Sequence, residues 1–123
     1  MLKFRFRKFK VYQDSLKFRQ KIRNLVQNFF PKQEQYLLTD QVLRAANSIV
    51  LNIAEGSDRS TDKDFANFLN KSHTSLNEVV SCLDMALVDK YITKETHRKY
   101  LNNAEMLANQ LTAFRRKLLT SDN

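Results

Sequence analysis

Glycine and proline each occur once in this chain of 123 residues, as Gly56 and Pro31. A β-rich protein of this length needs many tight turns, and those turns depend on glycine, proline, asparagine and aspartate. The scarcity of the first two residue types therefore favours long helices joined by few connections. A chain of this length forms one domain, which can bury a hydrophobic core without disulfides or metal.

Apolar residues recur at helical spacing in four segments, each with a polar opposite face. The segments predict helices over residues of about 10–29, 39–55, 61–89 and 93–119. Four amphipathic helices with short links favour a single all-α domain over residues 1–123, with the antiparallel up-down-up-down topology of a four-helix bundle. In that topology helix 1 begins, and helix 4 ends, at the same end of the bundle.

Residues at the helix ends give more specific predictions. Pro31 ends helix 1, because the residue before a proline avoids the α-helical region. Thr39 is the expected N-cap of helix 2, and Gly56 is expected in the left-handed conformation after its last turn. Thr61 is the expected N-cap of helix 3.

The single cysteine, Cys82, excludes an intrachain disulfide and a cysteine-based zinc site. We interpret it as a small packing residue in a protein of the reducing cytoplasm. The basic N-terminus leads into no apolar stretch, so it is not a secretory signal. The longest apolar stretch, residues 42–54, is interrupted by Arg44, Asn47 and Asn52 and is too short to span a membrane.

The two histidines, His73 and His97, lack a carboxylate or cysteine at metal-ligand spacing. The nearest acids along the chain, Glu78 and Glu95, fall outside the i+3 and i+4 positions that share a helix face. No glycine-rich loop is present to cradle a phosphate. We therefore predict no catalytic residues, metal site or cofactor, and a non-enzymatic protein with histidines at the surface or an interface.

The net charge of +8 is unevenly distributed. Residues 1–32 hold ten Lys/Arg and one acid, Asp14, whereas residues 33–123 hold eleven Lys/Arg and twelve acids. A basic excess confined to the first quarter of the chain indicates an anionic partner, nucleic acid before membrane. The predicted nucleic-acid-binding residues are Lys3, Arg5, Arg7, Lys8, Lys10, Lys17, Lys21, Arg115, Arg116 and Lys117. The alternative is a solvated surface that serves solubility, with the last three stabilising a helix C-terminus.

A polar strip runs along helix 2, whose other positions are mostly apolar. Leu51 falls outside the apolar arc, beside this strip. Buried polar groups must be paired, so we predict a structural network, with Arg44 bonded to Glu55 or to another subunit, or an oligomer interface. The residues of this predicted network or interface are Arg44, Ser48, Leu51, Asn52 and Glu55. Arg19 and Arg23 project into a second apolar row on helix 1, where they either lie along the apolar surface or pair with acids across an interface.

Several short motifs occur in order along the chain: Phe6-x-x-Phe9-x-Val11-Tyr12-Gln13, Phe30-Pro31-x-x-Glu34-x-Tyr36, Gln41-x-x-Arg44-Ala45-Ala46-x-Ser48-Ile49, Asn52-Ile53-Ala54-Glu55-Gly56, Phe65-x-x-Phe68-Leu69 and Ser75-Leu76-x-Glu78. This ordered set, over residues 6–92, resembles the bacterial four-helix-bundle family associated with intervening sequences in 23S ribosomal RNA genes. Leu43 stands where that family often has a second arginine, and Thr74 where it often has glycine.

The resemblance implies a ring-like homopentamer with no established activity. It also relates the chain to accessory proteins of diversity-generating retroelements, which are basic pentamers that bind reverse transcriptase and nucleic acid. The expected partners are therefore further copies of the chain, RNA or DNA, and a nucleic-acid-processing protein, with no membrane. The alternative function is that of a structural or protein-interaction scaffold without nucleic-acid binding.

Overall fold

The structure, a computed structural model, describes residues 3–120 as helices and connections, with no strand among them. Each of the four long helices begins and ends within one residue of its predicted bounds, and the predicted all-α class is confirmed. Two short 3₁₀ turns, Arg5–Lys8 and Lys32–Glu34, precede the first and second of them. The long helices are α1 Lys10–Phe29, α2 Leu38–Gly56, α3 Asp62–Val88 and α4 Lys94–Thr120.

The four helices pack in sequence order around one core. α2 contacts α1 and α3, and α4 contacts α3 and α1, whereas the diagonal pairs do not approach each other within the described part of the chain. This arrangement is the predicted up-down-up-down bundle. Each helix supplies a fully buried large side chain to the core, including Ile22, Ile49, Leu76 and Leu111. Cys82 is also buried in this core, as predicted.

The start of α2 differs from its predicted form. α2 begins at Leu38, so Thr39 lies inside the first turn, and the prediction that Thr39 caps the helix is wrong. The backbone N–H of Leu38 instead donates to Glu34 Oε1 at 3.3 Å. Glu34 takes this role because the preceding 3₁₀ turn brings its side chain back to the free N–H groups of the helix.

Gly56 is the last residue of α2 and does not have a positive φ, so its predicted left-handed conformation is wrong. A Cβ atom at this position would lie 2.5 Å from Phe68 Cβ and 2.9 Å from Phe65 Cδ1. Such a contact cannot form without moving one helix. The residue is therefore glycine because α2 and α3 approach closely here, and not because the backbone turns.

Other helix ends follow standard capping chemistry. The Thr61 hydroxyl accepts from the backbone N–H of Asp64 at 3.1 Å, which confirms the predicted cap of α3. At the other end of α3, Lys90 has a φ of 64° and the Tyr91 N–H donates to the Ala86 carbonyl. This is the left-handed helix ending usually supplied by glycine.

Among the helices of residues 3–120, none combines the length and the apolar character needed to cross a membrane.

Candidate nucleic-acid interface

Aromatic side chains fix the basic N-terminal segment, residues 3–9, to the bundle. The Phe9 ring lies 5.3 Å from the Phe114 ring and the Phe6 ring 4.8 Å from the Tyr12 ring, measured between centroids. These contacts join the segment to α1 and α4. The bundle therefore supports the stretch of chain that carries the basic side chains between the aromatic residues. Those charges remain exposed on Lys3, Arg7 and Lys8.

Arg5 differs from its basic neighbours because its guanidinium has partners inside the chain. Nε and Nη2 donate to the Ser57 carbonyl oxygen at 3.2 and 2.7 Å. The guanidinium carbon also lies 5.7 Å from the Phe9 ring centroid and 5.8 Å from that of Phe65. Ser57 directly follows α2, where the helix end carries partial negative charge. Arg5, a predicted nucleic-acid-binding residue, therefore ties the N-terminal segment to the end of α2.

The end of α4 lies beside the start of α1. Lys10 and Lys117 line one cleft of about 360 Å³, together with Phe9 and Phe114. This confirms the prediction that the two basic segments meet at one end of the bundle. Of the three predicted residues on α4, Arg116 and Lys117 are exposed, whereas Arg115 is half-buried. Its Nε atom is buried and has no hydrogen-bond partner in residues 3–120.

A second cleft, the basic groove, continues along the surface between α1 and α4. Its volume is about 260 Å³. Its polar and charged lining residues are Lys10, Asp14, Lys17, Lys21, Asn103 and Gln110. Lys10 and Lys17 are seven residues apart, which is about two helical turns. Lys21 follows Lys17 by four residues, about one further turn, so the three lysines lie along the same face of α1. Three lysines and two amide side chains make this groove a set of hydrogen-bond donors suited to anionic oxygens.

Asp14 is the single acid among the described lining residues of the basic groove. Its Oδ2 atom accepts from Lys10 Nζ at 2.6 Å and from Gln110 Nε2 at 2.8 Å. The hydrogen bond from Lys10, followed by that from Gln110, holds the pKa of Asp14 below its ordinary value. The carboxylate is therefore engaged by its neighbours, and Lys17 and Lys21 leave the groove with a positive charge.

The positive surface covers one side of the bundle end and not the whole end. The connection between α2 and α3 lies at the same end and carries Asp58, and the first turn of α3 adds Asp62 and Asp64. Arg59 there pairs with Asp64, with Nε 3.0 Å from Oδ2. Because the acids gather on the α2–α3 side, the basic surface lies on the α1–α4 side. Sequence position alone did not show that the acidic and the basic residues of this end lie on different sides of the bundle.

The polar strip of α2 divides into a half-buried part and an exposed part. Asn52 Nδ2 donates to the Ser48 hydroxyl at 3.0 Å, and the Ser48 and Ser75 hydroxyls lie 2.8 Å apart, which links α2 to α3. Arg44 is exposed and pairs with Asp40, with Nε 3.0 Å from Oδ2. The predicted Arg44–Glu55 pair is therefore wrong within the chain, since eleven residues of helix separate the two side chains whereas Asp40 is one turn away. Glu55 is exposed.

Two leucines remain exposed on the outer side of the α1–α2 pair. Arg19 Nε donates to Asn47 Oδ1 at 2.5 Å and thereby joins the two helices. Leu16 lies one turn before Arg19 and Leu51 one turn after Asn47, so in this antiparallel pair both lie toward the basic end. Their exposed fractions are 41% and 64%. The second apolar row predicted on α1 is thus partly uncovered.

The histidines occupy different surroundings. His97 on α4 places Nε2 2.8 Å from Asp84 Oδ1 on α3, a pairing that sequence spacing missed because it forms between two helices. His73 is half-buried on α3. In residues 3–120 no group of three or more His, Cys, Asp or Glu side chains is placed to hold a metal ion. Burial raises the pKa of the Cys82 thiol, which disfavours the reactive thiolate.

These features define the protein as a small helical bundle with a basic surface along one pair of helices. The model of the 23S rRNA-intervening sequence protein family matches residues 7–113, and the chain belongs to that family. The resemblance found in the sequence motifs is confirmed.

A solved structure from Bacteroides thetaiotaomicron is similar to this chain. It is described as a protein with unknown function from the S23 ribosomal protein family. The two are 28% identical and superpose with a TM-score of 0.77, over 85% of this chain and 97% of that chain. No functionally curated protein matches the chain.

Proposed function

We propose that this chain is a non-enzymatic, homo-oligomeric bundle of the cytoplasm that binds nucleic acid, or a nucleoprotein, through the α1–α4 side. The observation that carries the proposal is the convergence of exposed basic side chains from the two ends of the sequence. Lys10 and Lys117 line one cleft, and Lys10 also begins the basic groove. The proposed contact residues are Lys3, Arg7, Lys8, Lys10, Lys17, Lys21, Arg116 and Lys117.

Such a surface recognises phosphate in preference to bases. Lysine ammonium groups contact phosphate oxygens and release condensed counterions, which gives affinity with little sequence preference. The Phe4 ring is 63% exposed among these charges, and an exposed ring beside basic residues can stack on an unpaired base. The family name, with its reference to 23S rRNA, makes RNA the first ligand to test.

Self-association is the second part of the proposal. Leu16 and Leu51 form an apolar surface on the outer α1–α2 side, next to the Arg19–Asn47 contact. Covering this surface with a second copy would remove two leucines from water. The resemblance favours five copies in a ring. A ring would repeat the basic groove around one rim, so that weak phosphate contacts act together.

The nucleic-acid proposal predicts a salt-dependent affinity. Fluorescently labelled RNA, single-stranded DNA and duplex DNA should all bind at low salt, with affinity falling steeply as salt rises. Changing Arg7, Lys8 and Lys117 together to glutamine should flatten the slope of log affinity against log salt for duplex DNA, by about 0.9 for each phosphate that the variant no longer neutralises. Arg5 and Lys10 are kept, because both have structural partners.

The matched control removes three exposed lysines from the opposite end of the bundle, Lys32, Lys94 and Lys99. This variant has the same net charge as the first and should keep the wild-type slope. Equal loss in both variants would show that only total charge matters. Absence of binding by the wild type at low salt would refute the proposal and favour the scaffold alternative.

The oligomer proposal predicts a mass well above 14.5 kDa in light scattering at micromolar concentration, with five copies expected. Leu51→Asp should lower that mass, because it places a charge in the apolar surface shared between copies. Val88→Asp, which places a charge at another exposed apolar residue, at the opposite end of the bundle, should not lower the mass. A monomeric wild type would contradict this part of the proposal and leave the nucleic-acid test unaffected.

A further inference from the structure

An apolar groove lies at the end of the bundle opposite the basic segment. It has a volume of about 740 Å³ and lies between the segment before α2 and the last turns of α3. The exposed fractions are 84% for Tyr36, 65% for Leu37 and 77% for Val88. Met85 lies one turn before Val88 and is also exposed. Four large apolar side chains are thus gathered in one concave surface that no other segment of residues 3–120 covers.

The rim of this end groove is acidic, although the chain as a whole carries a charge of +8. Its single described base, Arg44, is held by Asp40 at 3.0 Å. Glu34 is held by the Tyr91 hydroxyl, which donates to Oε2 at 2.8 Å. The carboxylates that line the groove are those of Glu34, Asp40, Asp84 and Asp89, and that of Asp84 lies 2.8 Å from His97 Nε2. Such a rim repels phosphate, so the nucleic-acid interface and the end groove require different ligands.

We propose that the end groove binds a basic amphipathic helix of a partner protein. Apolar side chains at i, i+3 or i+4, and i+7 of that helix would pack on Tyr36, Leu37 and Val88. Lysine or arginine on either side of the apolar stripe would meet the carboxylates of the rim. The C-terminal end of α3 adds partial negative charge at the same place. Both the apolar floor and the charge of the rim therefore fit one class of partner.

This chain contains a basic aromatic segment of its own, residues 3–9, which is a possible occupant in a second copy. The structure gives that segment another position. Arg5 is bonded to the Ser57 carbonyl, and Phe6 and Phe9 pack on their own bundle. Binding to another copy would break these contacts, so a different protein is the favoured partner.

The test uses the full-length chain and a fluorescein-labelled 18-residue peptide of leucine and lysine, with leucine at i, i+3, i+4 and i+7. Its twin replaces every lysine with glutamate. Fluorescence anisotropy should show binding of the basic peptide at least about tenfold tighter than that of the acidic twin. Changing Tyr36 to Ser together with Val88→Asn should weaken binding of the basic peptide by about tenfold or more.

Two further variants separate apolar contact from charge. Asp89→Asn should weaken binding by about twofold to fivefold, as expected for one exposed charge pair. Leu119→Asn, which changes an exposed apolar residue at the other end of the bundle, should bind the basic peptide as the wild type does.

Three results would overturn the proposal: no binding of the basic peptide, equal binding of the acidic twin, or wild-type binding by the variant changed at Tyr36 and Val88. A different result is that the variant changed at Tyr36 and Val88 forms a smaller assembly in light scattering than the wild type, with no binding of the basic peptide by the wild type. In that case the occupant is a second copy of the chain. None of these measurements depends on nucleic-acid binding, so this proposal can fail or stand separately.

Discussion

The α2–α3 interface and the α1–α4 interface are built from different side chains. Between α2 and α3, small residues allow close approach, with Gly56 directly against Phe68 and the Ser72 hydroxyl donating to the Ile49 carbonyl at 2.8 Å. Ser72 is fully buried. In the outer part of the α1–α4 interface, long polar side chains bridge a wider gap.

Those bridges are hydrogen bonds at the protein surface. Lys21 Nζ donates to Asn103 Oδ1 at 3.4 Å, and Gln110 Nε2 donates to Asp14 Oδ2 at 2.8 Å. The basic groove lies in the space that they span. The comparison shows that the bundle uses one interface for stability and a different one for an open polar surface. One interface excludes water and holds the fold together, while the other remains open and polar, so a ligand can bind there without disturbing the core.

The largest expected effect belongs to the close interface. Gly56→Ala should lower the free energy of unfolding by about 2–3 kcal/mol, because the added Cβ would overlap Phe68 Cβ and force α2 away from α3. Urea unfolding followed by circular dichroism measures the change. Ala113→Val adds bulk beside the cleft at the end of the α1–α4 interface and should stay within about 0.5 kcal/mol of the wild type. Equal losses would show that the two interfaces do not differ in packing.

A smaller effect is expected from the buried hydroxyl of the same interface. Ser72→Ala removes the hydrogen bond to the Ile49 carbonyl and should cost about 1 kcal/mol of unfolding free energy. The control is Thr74→Ala, since the Thr74 hydroxyl bonds to the Asn70 carbonyl at the surface of the same helix. That control should change stability by less than about 0.5 kcal/mol. A neutral Ser72→Ala would mean that this hydrogen bond does not contribute to the stability of the α2–α3 interface.

The smallest effect belongs to the open interface. Asp14→Asn should cost less than about 1 kcal/mol at neutral pH, as for other surface ion pairs. Because the pKa of Asp14 is lowered from 3.8 in the folded protein, its stabilisation is complete above that value and is lost as pH falls through the folded pKa. The stability difference between wild type and variant should therefore shrink in acid, measured by urea unfolding from pH 7 to pH 2.

The same variant sharpens the functional side of the comparison. Without its acid, the basic groove should bind RNA more tightly than the wild-type groove at equal salt. Glu78→Gln, which removes an exposed acid from α3, should leave RNA affinity unchanged. If both variants bind RNA equally, the basic groove has no special part in the interaction.

Much of the fold was predictable because helical periodicity is a local property. The spacing of apolar residues placed the four long helices, and Thr61 marked the start of α3. The errors at Thr39 and Gly56 share one cause. Threonine commonly caps the start of a helix, and glycine commonly ends one in the left-handed conformation. In this protein a residue outside α2 determined what lies at each end: Glu34 caps the start of the helix, and Phe68 packs against its last residue.

The candidate site was predictable as a set of charges and not as an arrangement. Composition showed the basic excess of residues 1–32, and bundle topology placed the end of α4 beside it. The hydrogen bond from Arg5 to the Ser57 carbonyl joins residues 52 positions apart. The periodicity of apolar residues cannot reveal such a contact. The acids of the α2–α3 connection and of the first turn of α3 likewise restrict the basic surface to one side of the end.

By itself, the sequence determined that this chain forms four amphipathic helices, that they pair in antiparallel order, and that its positive charge gathers near one end. These properties follow from residue spacing and composition, which act within a few turns of helix. Tertiary structure alone decided that α2 and α3 pack through glycine and serine, that α1 and α4 enclose the basic groove, and that acids surround the apolar groove at the other end. Such arrangements depend on how helix faces meet, because side chains far apart in sequence acquire shared surroundings only when the core fixes their relative positions.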